Sequence, residues 1–211
     1  MAEAELKKLF GDFPIELSDA VQHARDLEPG MIAICGDLTK SFYQCPLSES
    51  VREFFAFRTT DGRFVFPKSL PMGVSFAPAI LNLLMTVLTH TDIAGVHVHV
   101  HVGNVRFVGK DPASVQEAYD QFVQRCKDCN ATLNDEPEVN VLHTSGSFMG
   151  PHHDYTTGEV SVAADSISKL TADADIVLRS ATSTIEDVQV LFSRLFYCCA
   201  LASPPRDTSL P

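Results

Sequence analysis

The chain alternates between two hydrophobic periods. Met31 to Cys35 is a short apolar run behind the turn signal Glu28-Pro29-Gly30 and predicts a strand that delivers Asp37. After Pro46 a Ser-Glu-Ser run predicts a helical turn. Phe54 to Phe57 and Arg63 to Phe66 flank Thr59-Thr60-Asp61-Gly62, a hairpin signal. From Pro78 a helix is predicted, with Ile80, Leu83, Leu84, Val87 and Leu88 on its apolar stripe. Strict alternation follows in Val96-His97-Val98-His99-Val100-His101-Val102, a strand with valines on one face and histidines on the other. Gly103-Asn104 reads as a two-residue turn, and Val105 to Val108 as the returning strand.

The next helix has both its start and its face written in the sequence. Asp111 is the N-cap, Pro112 the first helical residue, and Val115, Ala118, Tyr119, Phe122, Val123 and Cys126 recur at helical spacing. Val139 to Phe148 and Glu159 to Val162 read as strands around a His-His-Asp-Tyr-Thr-Thr-Gly loop. Residues 166–178 read as a helix, and Ser183-x-x-Glu186 as the capping box of a last helix through Val188, Leu191, Leu195 and Phe196. The predicted fold is α+β, an antiparallel sheet with helices on one face. The predicted division is a lead-in over 1–30, a main domain over 31–163 with a hairpin at about 51–68, a helical segment over 164–202 and a disordered tail over 203–211.

Composition narrows the partners. The 211 residues are 45% hydrophobic, enough for one well-buried core. A net charge of −11 argues against a free-standing nucleic-acid binder, which needs clustered cations. Arg52, Arg58, Arg63 and Lys68 do fall together, as a solvated hairpin face or as a phosphate contact. The first residues lack a secretory signal, and no apolar run spans a bilayer. The six cysteines, Cys126-x-x-Cys129 included, read as reduced thiols of a cytoplasmic or nuclear protein without a membrane partner.

Two patterns carry chemistry. Asp37 closes an apolar strand and is followed by Leu38-Thr39-Lys40-Ser41-Phe42-Tyr43-Gln44-Cys45-Pro46-Leu47. His97, His99 and His101 project from one strand face at about 6.5–7 Å spacing. That ladder is either a half-exposed polar face or a Zn²⁺ or Cu²⁺ site, with His152, His153 and Asp154 as further ligands if folding gathers them.

The first pattern resembles the first metal-binding motif of reverse transcriptases, and the resemblance extends over about residues 15 to 200. Phe55-Ala56-Phe57-Arg58 and Gly62-Arg63-Phe64 resemble the following hairpin. Leu70-Pro71-Met72-Gly73 with Ala77-Pro78 resembles the segment that contacts template and nucleotide. Val105-Arg106-Phe107-Val108-Gly109 resembles the strand after the catalytic turn, Phe148-Met149-Gly150 the primer-grip turn, and the last capped helix the start of the thumb connection. Retroelements with long terminal repeats or tyrosine recombinases are the most similar.

The resemblance implies a polymerase palm with partial fingers and the start of a thumb or connection. It implies Asp37 as a ligand of Mg²⁺ or Mn²⁺, Phe42 as the gate against a ribose 2′-hydroxyl, Tyr43, Pro71, Met72 and Gly73 as nucleotide or template contacts, and an ancestral RNA/DNA template-primer as partner. The departures point the other way. Where the family has Tyr-x-Asp-Asp, this chain has His101-Val102-Gly103-Asn104, so Asn104 is retained as a weak ligand and Gly103 stands at a lost aspartate. Leu133-Asn134 is followed by Asp135-Glu136-Pro137, where the family often has a lysine. The expectation is a retroelement-derived palm without effective RNA-directed DNA polymerase activity. The alternatives are a weak or complementable nucleotidyltransferase, and a non-enzymatic module that binds protein, RNA or metal.

Overall fold

The computed structural model describes His23 and residues 26–134, 141–179 and 182–202. The lead-in, the Asp135-Glu136 departure and the tail fall wholly or mostly outside the described residues. Two compact units appear: residues 34–142 form one, and the segment ending at Ala33 joins 143–202 in the other.

In the first unit a three-stranded sheet runs in the order β1 (Ile32–Asp37), β5 (Asn104–Gly109), β4 (Val96–His101). β4 and β5 are antiparallel, with Val98 opposite Phe107, Val100 opposite Val105 and His101 opposite Asn104. The period-two reading holds, because facing residues share a side of the sheet. The valine side packs on α3 (Pro112–Asp128), where the Phe107 ring lies 5.8 Å from Tyr119 and 5.7 Å from Phe122. The Asp111 side chain caps α3 by accepting the Ser114 N–H at 3.1 Å. Gly36 allows the close fit: a Cβ there would stand 3.2 Å from Tyr119, so helix and strand meet tightly one residue before Asp37.

Helix α2 (Ala77–Thr89) forms where expected but presents another face. Ala77, Leu81, Met85 and Thr89 are buried, whereas Ile80, Leu83, Leu84 and Val87 are exposed. The helix carries no charged residue, so its apolar periodicity does not single out a face; the available sheet does. Leu81 and Met85 each contribute about 1.5–3 kcal/mol by leaving water.

Between β1 and α2 come a 3₁₀ turn (Ser41–Gln44), the short helix α1 (Glu49–Arg52), and the hairpin of β2 (Phe57–Arg58) and β3 (Phe64–Val65). The hairpin stem is tied by Leu47 N–H to Lys68 O at 2.9 Å and Leu70 N–H to Cys45 O at 2.9 Å.

The second unit holds the antiparallel sheet β6 (Ser145–Ser147), β7 (His152–Asp154), β8 (Glu159–Ser161) and the helices α4 (Ala164–Arg179) and α5 (Ile185–Ala202). The His-His-Asp stretch is the central strand, not a loop. Its turn begins later, where Asp154 accepts the N–H groups of Thr156 and Thr157. The capping box of α5 is shifted by one residue from Ser183/Glu186. The Asp187 N–H donates to the Thr184 hydroxyl at 3.1 Å, and the Thr184 N–H donates to the Asp187 carboxylate at 2.9 Å. Ser183 instead bonds the Val177 carbonyl. No helix of the described residues is long and apolar enough to cross a membrane.

Candidate active site

Asp37 is the last residue of β1, and its main chain is gripped on two sides. Its carbonyl accepts the Asn134 N–H at 2.8 Å, while the next N–H, on Leu38, donates to Gly103 O at 3.2 Å. The strand end therefore lies directly beside the β4–β5 turn. Gln44 secures the outer side. Its amide nitrogen donates to Thr39 O at 2.5 Å and to Thr132 O at 2.8 Å, and its oxygen accepts the Thr132 N–H at 2.6 Å.

The turn itself is displaced from the sequence reading. Its two loop residues are Val102 and Gly103, and Asn104 is already paired with His101. Val102 holds φ at 56°, a left-handed conformation that opposes a β-branched side chain. Such a residue costs on the order of 1–3 kcal/mol and needs support from its surroundings. Asn82 of α2 supplies it by accepting the Val102 N–H on Oδ1 at 3.1 Å. Lys40, three residues after Asp37, and Met149, in the Phe148–Gly150 turn, are also left-handed non-glycine residues. Asn130, just after α3, is the fourth such residue among those described.

Gly103 faces the carboxylate. A Cβ built on it would lie 3.5 Å from Asp37 Oδ1 and 2.7 Å from Ser41 Oγ. A side chain at position 103 would point into the space beside Asp37, which Ser41 now occupies. Among the described residues no three His, Cys, Asp or Glu side chains are grouped to hold a metal ion. Of the residues that the resemblance assigns to the metals, the described part of the chain offers the Asp37 carboxylate and the Asn104 amide, a donor set that fits a pair of divalent ions poorly.

The histidine ladder is divided in use. His97 is exposed and His101 half-buried. His99 is buried against the fully buried Arg106, accepting on Nδ1 from Nε at 3.1 Å, with Nη2 at 2.8 Å from the same nitrogen. Arginine only donates, so Nδ1 is the acceptor and His99 is neutral with its proton on Nε2. Burial pushes the Cys35 thiol up to about 11, against the opposing field of Arg106. Cys126 is likewise raised to about 11 by burial and then by Cys129, so both are protonated thiols at neutral pH. His153 belongs to the second unit, buried and stacked on Tyr155.

Of the remaining predicted contacts Phe148 is buried, and the nucleotide and template set lies at least partly at the surface. Phe42 is half-buried and Tyr43 exposed on the 3₁₀ turn; Pro71 is half-buried, Met72 exposed, and Gly73 adopts φ 88°. In the second unit, Gly150 has φ 105° and a Cβ there would come within 2.5 Å of the Tyr197 hydroxyl, so only glycine fits the turn. Sequence reasoning missed Asn82, Ser41, Gln44 and the His99–Arg106 pair. Gln44 stands in the Asp37 motif and Arg106 interrupts an apolar strand, which were available signals. Nothing in the sequence marks Asn82.

No family profile matches the chain. It is 25% identical over 145 residues to the retrovirus-related Pol polyprotein from transposon 412 of Drosophila melanogaster, a match that spans 68% of this chain and 11% of that protein. The foamy viral protease-reverse transcriptase in complex with double-stranded DNA superposes with a TM-score of 0.69 at 15% identity, over 93% of this chain and 32% of that one. The same viral protein with an RNA/DNA hybrid gives 0.68 at 14% identity, over 88% and 24%. With Asp37 seated beside the turn between the paired strands, the sheet, motif order and similarity agree: this chain has a reverse-transcriptase-like fold.

Proposed function

We propose that this retroelement-derived domain keeps the palm but lacks effective RNA-directed DNA polymerase activity. The observation that carries the reading is Gly103, which offers no side-chain donor at a place where a Cβ would lie 3.5 Å from Asp37 Oδ1. Two-metal nucleotidyl transfer sets two divalent ions about 3.5–4 Å apart. At an effective dielectric of about 20, unit charges about 4 Å apart interact by about 4 kcal/mol, so two divalent ions repel by roughly 16 kcal/mol. A single carboxylate and an amide offset only part of that. In this reading Mg²⁺ or Mn²⁺ would rest on Asp37 and Asn104.

A second reading, weak or complementable nucleotidyl transfer, is favoured by the backbone. Leu38 and Asn134 still clamp Asp37, and the strained turn is intact. The chain spans about a tenth of its curated relative, and in this reading a separate fingers or thumb chain assists. In either reading the ancestral partner is an RNA/DNA template-primer; the foamy viral protein is found with double-stranded DNA and with an RNA/DNA hybrid.

Primer extension with Mg²⁺ and with Mn²⁺ tests the choice. Wild-type protein is expected to extend nothing measurable. Appreciable extension that Asp37→Ala abolishes would overturn the inactive reading. Gly103→Asp combined with Ser41→Gly, which clears the space, is the variant expected to regain activity if the corner alone has decayed.

A further inference from the structure

We propose that the outer face of helix α2 is a self-association surface, on which a second copy of this chain docks by two-fold symmetry as a weak dimer. The helix has two apolar stripes. One, through Ala77, Leu81, Met85 and Thr89, enters the core. The other, Ile80, Leu83, Leu84 and Val87, recurs at i, i+3, i+4 and i+7 and stays open: Leu83 is 66% exposed and Val87 65%. The outer face of a surface helix is ordinarily charged or polar, and this one is neither. Ile80–Leu84 and Leu83–Val87 form two parallel ridges with a groove between them, the relief into which the ridges of another helix fit. Covering the stripe strands no polar side chain. Thr86 on its border already donates its hydroxyl to Asn82 O at 2.8 Å, and the Asn82 side chain is engaged with Val102.

Charge and area select the occupant. Between Lys68 and Asp92 the sequence holds no Asp, Glu, Lys or Arg, in a chain of net charge −11. Two such chains repel across most of their surfaces, and least where a charge-free face meets its own image. A partner recognised by charge, such as a basic protein or an anionic membrane, finds nothing to read on this face. A two-fold copy needs no separate complement, because the same ridges and groove are offered from both sides. The four side chains expose roughly 400 Å² per copy, against about 800 Å² per partner in a standard interface. The pairing is therefore of the reversible class, populated at high protein concentration.

Analytical ultracentrifugation of the whole chain over a micromolar to millimolar series tests this. Expected is a monomer–dimer equilibrium that strengthens as salt rises, because salt screens the repulsion between acidic copies. Leu83→Glu and Val87→Glu should each weaken dimerisation about tenfold or more. Leu178→Glu, at an exposed apolar position of the other unit, should leave it unchanged. Leu83→Lys and Leu83→Glu proteins should each stay monomeric alone and pair when mixed, since two-fold symmetry sets the two stripes against each other. These side chains are exposed, and circular dichroism checks that each variant folds. Monomer throughout the series, a dimer weakened by salt, open-ended assembly, or a dimer that Leu83→Glu leaves intact and Leu178→Glu breaks would overturn the proposal. So would co-sedimentation of a monomer with phosphatidylserine vesicles that Leu83→Glu abolishes. Primer extension enters none of these readings, so this surface and the Asp37 corner stand or fall separately.

Discussion

The side-chain oxygen of Asn82 accepts the main-chain N–H of Val102 at 3.1 Å, so a residue in the middle of α2 holds the strained turn beside Asp37. Without it, a half-buried donor loses its acceptor at the place where φ is already unfavourable. Asn82→Leu is expected to cost about 1–3 kcal/mol of stability. Hydrogen exchange should speed up first at the Val102 amide. Asn82→Asp, which retains an acceptor oxygen, should preserve most of the protection. Equal exchange at Val102 in wild type and Asn82→Leu would dismiss the role.

His99 and Arg106 form a buried pair in which a permanent cation rests on a neutral ring. His99→Leu removes the acceptor and is expected to destabilise by roughly 3–5 kcal/mol. His99→Leu/Arg106→Met, which removes both polar partners, should recover most of the loss. Urea unfolding of the two single variants and the double variant reads the coupling directly. Additive single effects would refute it.

The Thr184–Asp187 cap gives α5 an acid limit. The Thr184 hydroxyl, and then its main-chain N–H, hold the Asp187 carboxyl below its usual 3.8. A folded value below the unfolded one stabilises the fold above about pH 3.8 and is lost as pH falls through the folded value. Thermal unfolding of wild type and Asp187→Asn is therefore expected to differ at about pH 6 and to converge well below pH 3.8. A difference that persists in acid would remove the cap from the account.

The sequence by itself determined what depends on neighbours along the chain. Alternating valine and histidine fixed β4 and its two faces, because period two leaves no other arrangement. Asp111 and Pro112 fixed the start of α3, since capping is a local hydrogen bond. The order of motifs from Asp37 to Met149 was also legible, and with it the kind of fold. Tertiary structure decided the rest. Which face of the uncharged helix α2 enters the core depended on the sheet beneath it. The turn register at Val102–Gly103 depended on Asn82, twenty residues earlier, offering an acceptor. His99 became a partner of Arg106 because the facing strand put a guanidinium across from it. The nearness of Gly103 to Asp37 was likewise a matter of tertiary structure, because it joins a strand end to a turn more than sixty residues later in the chain.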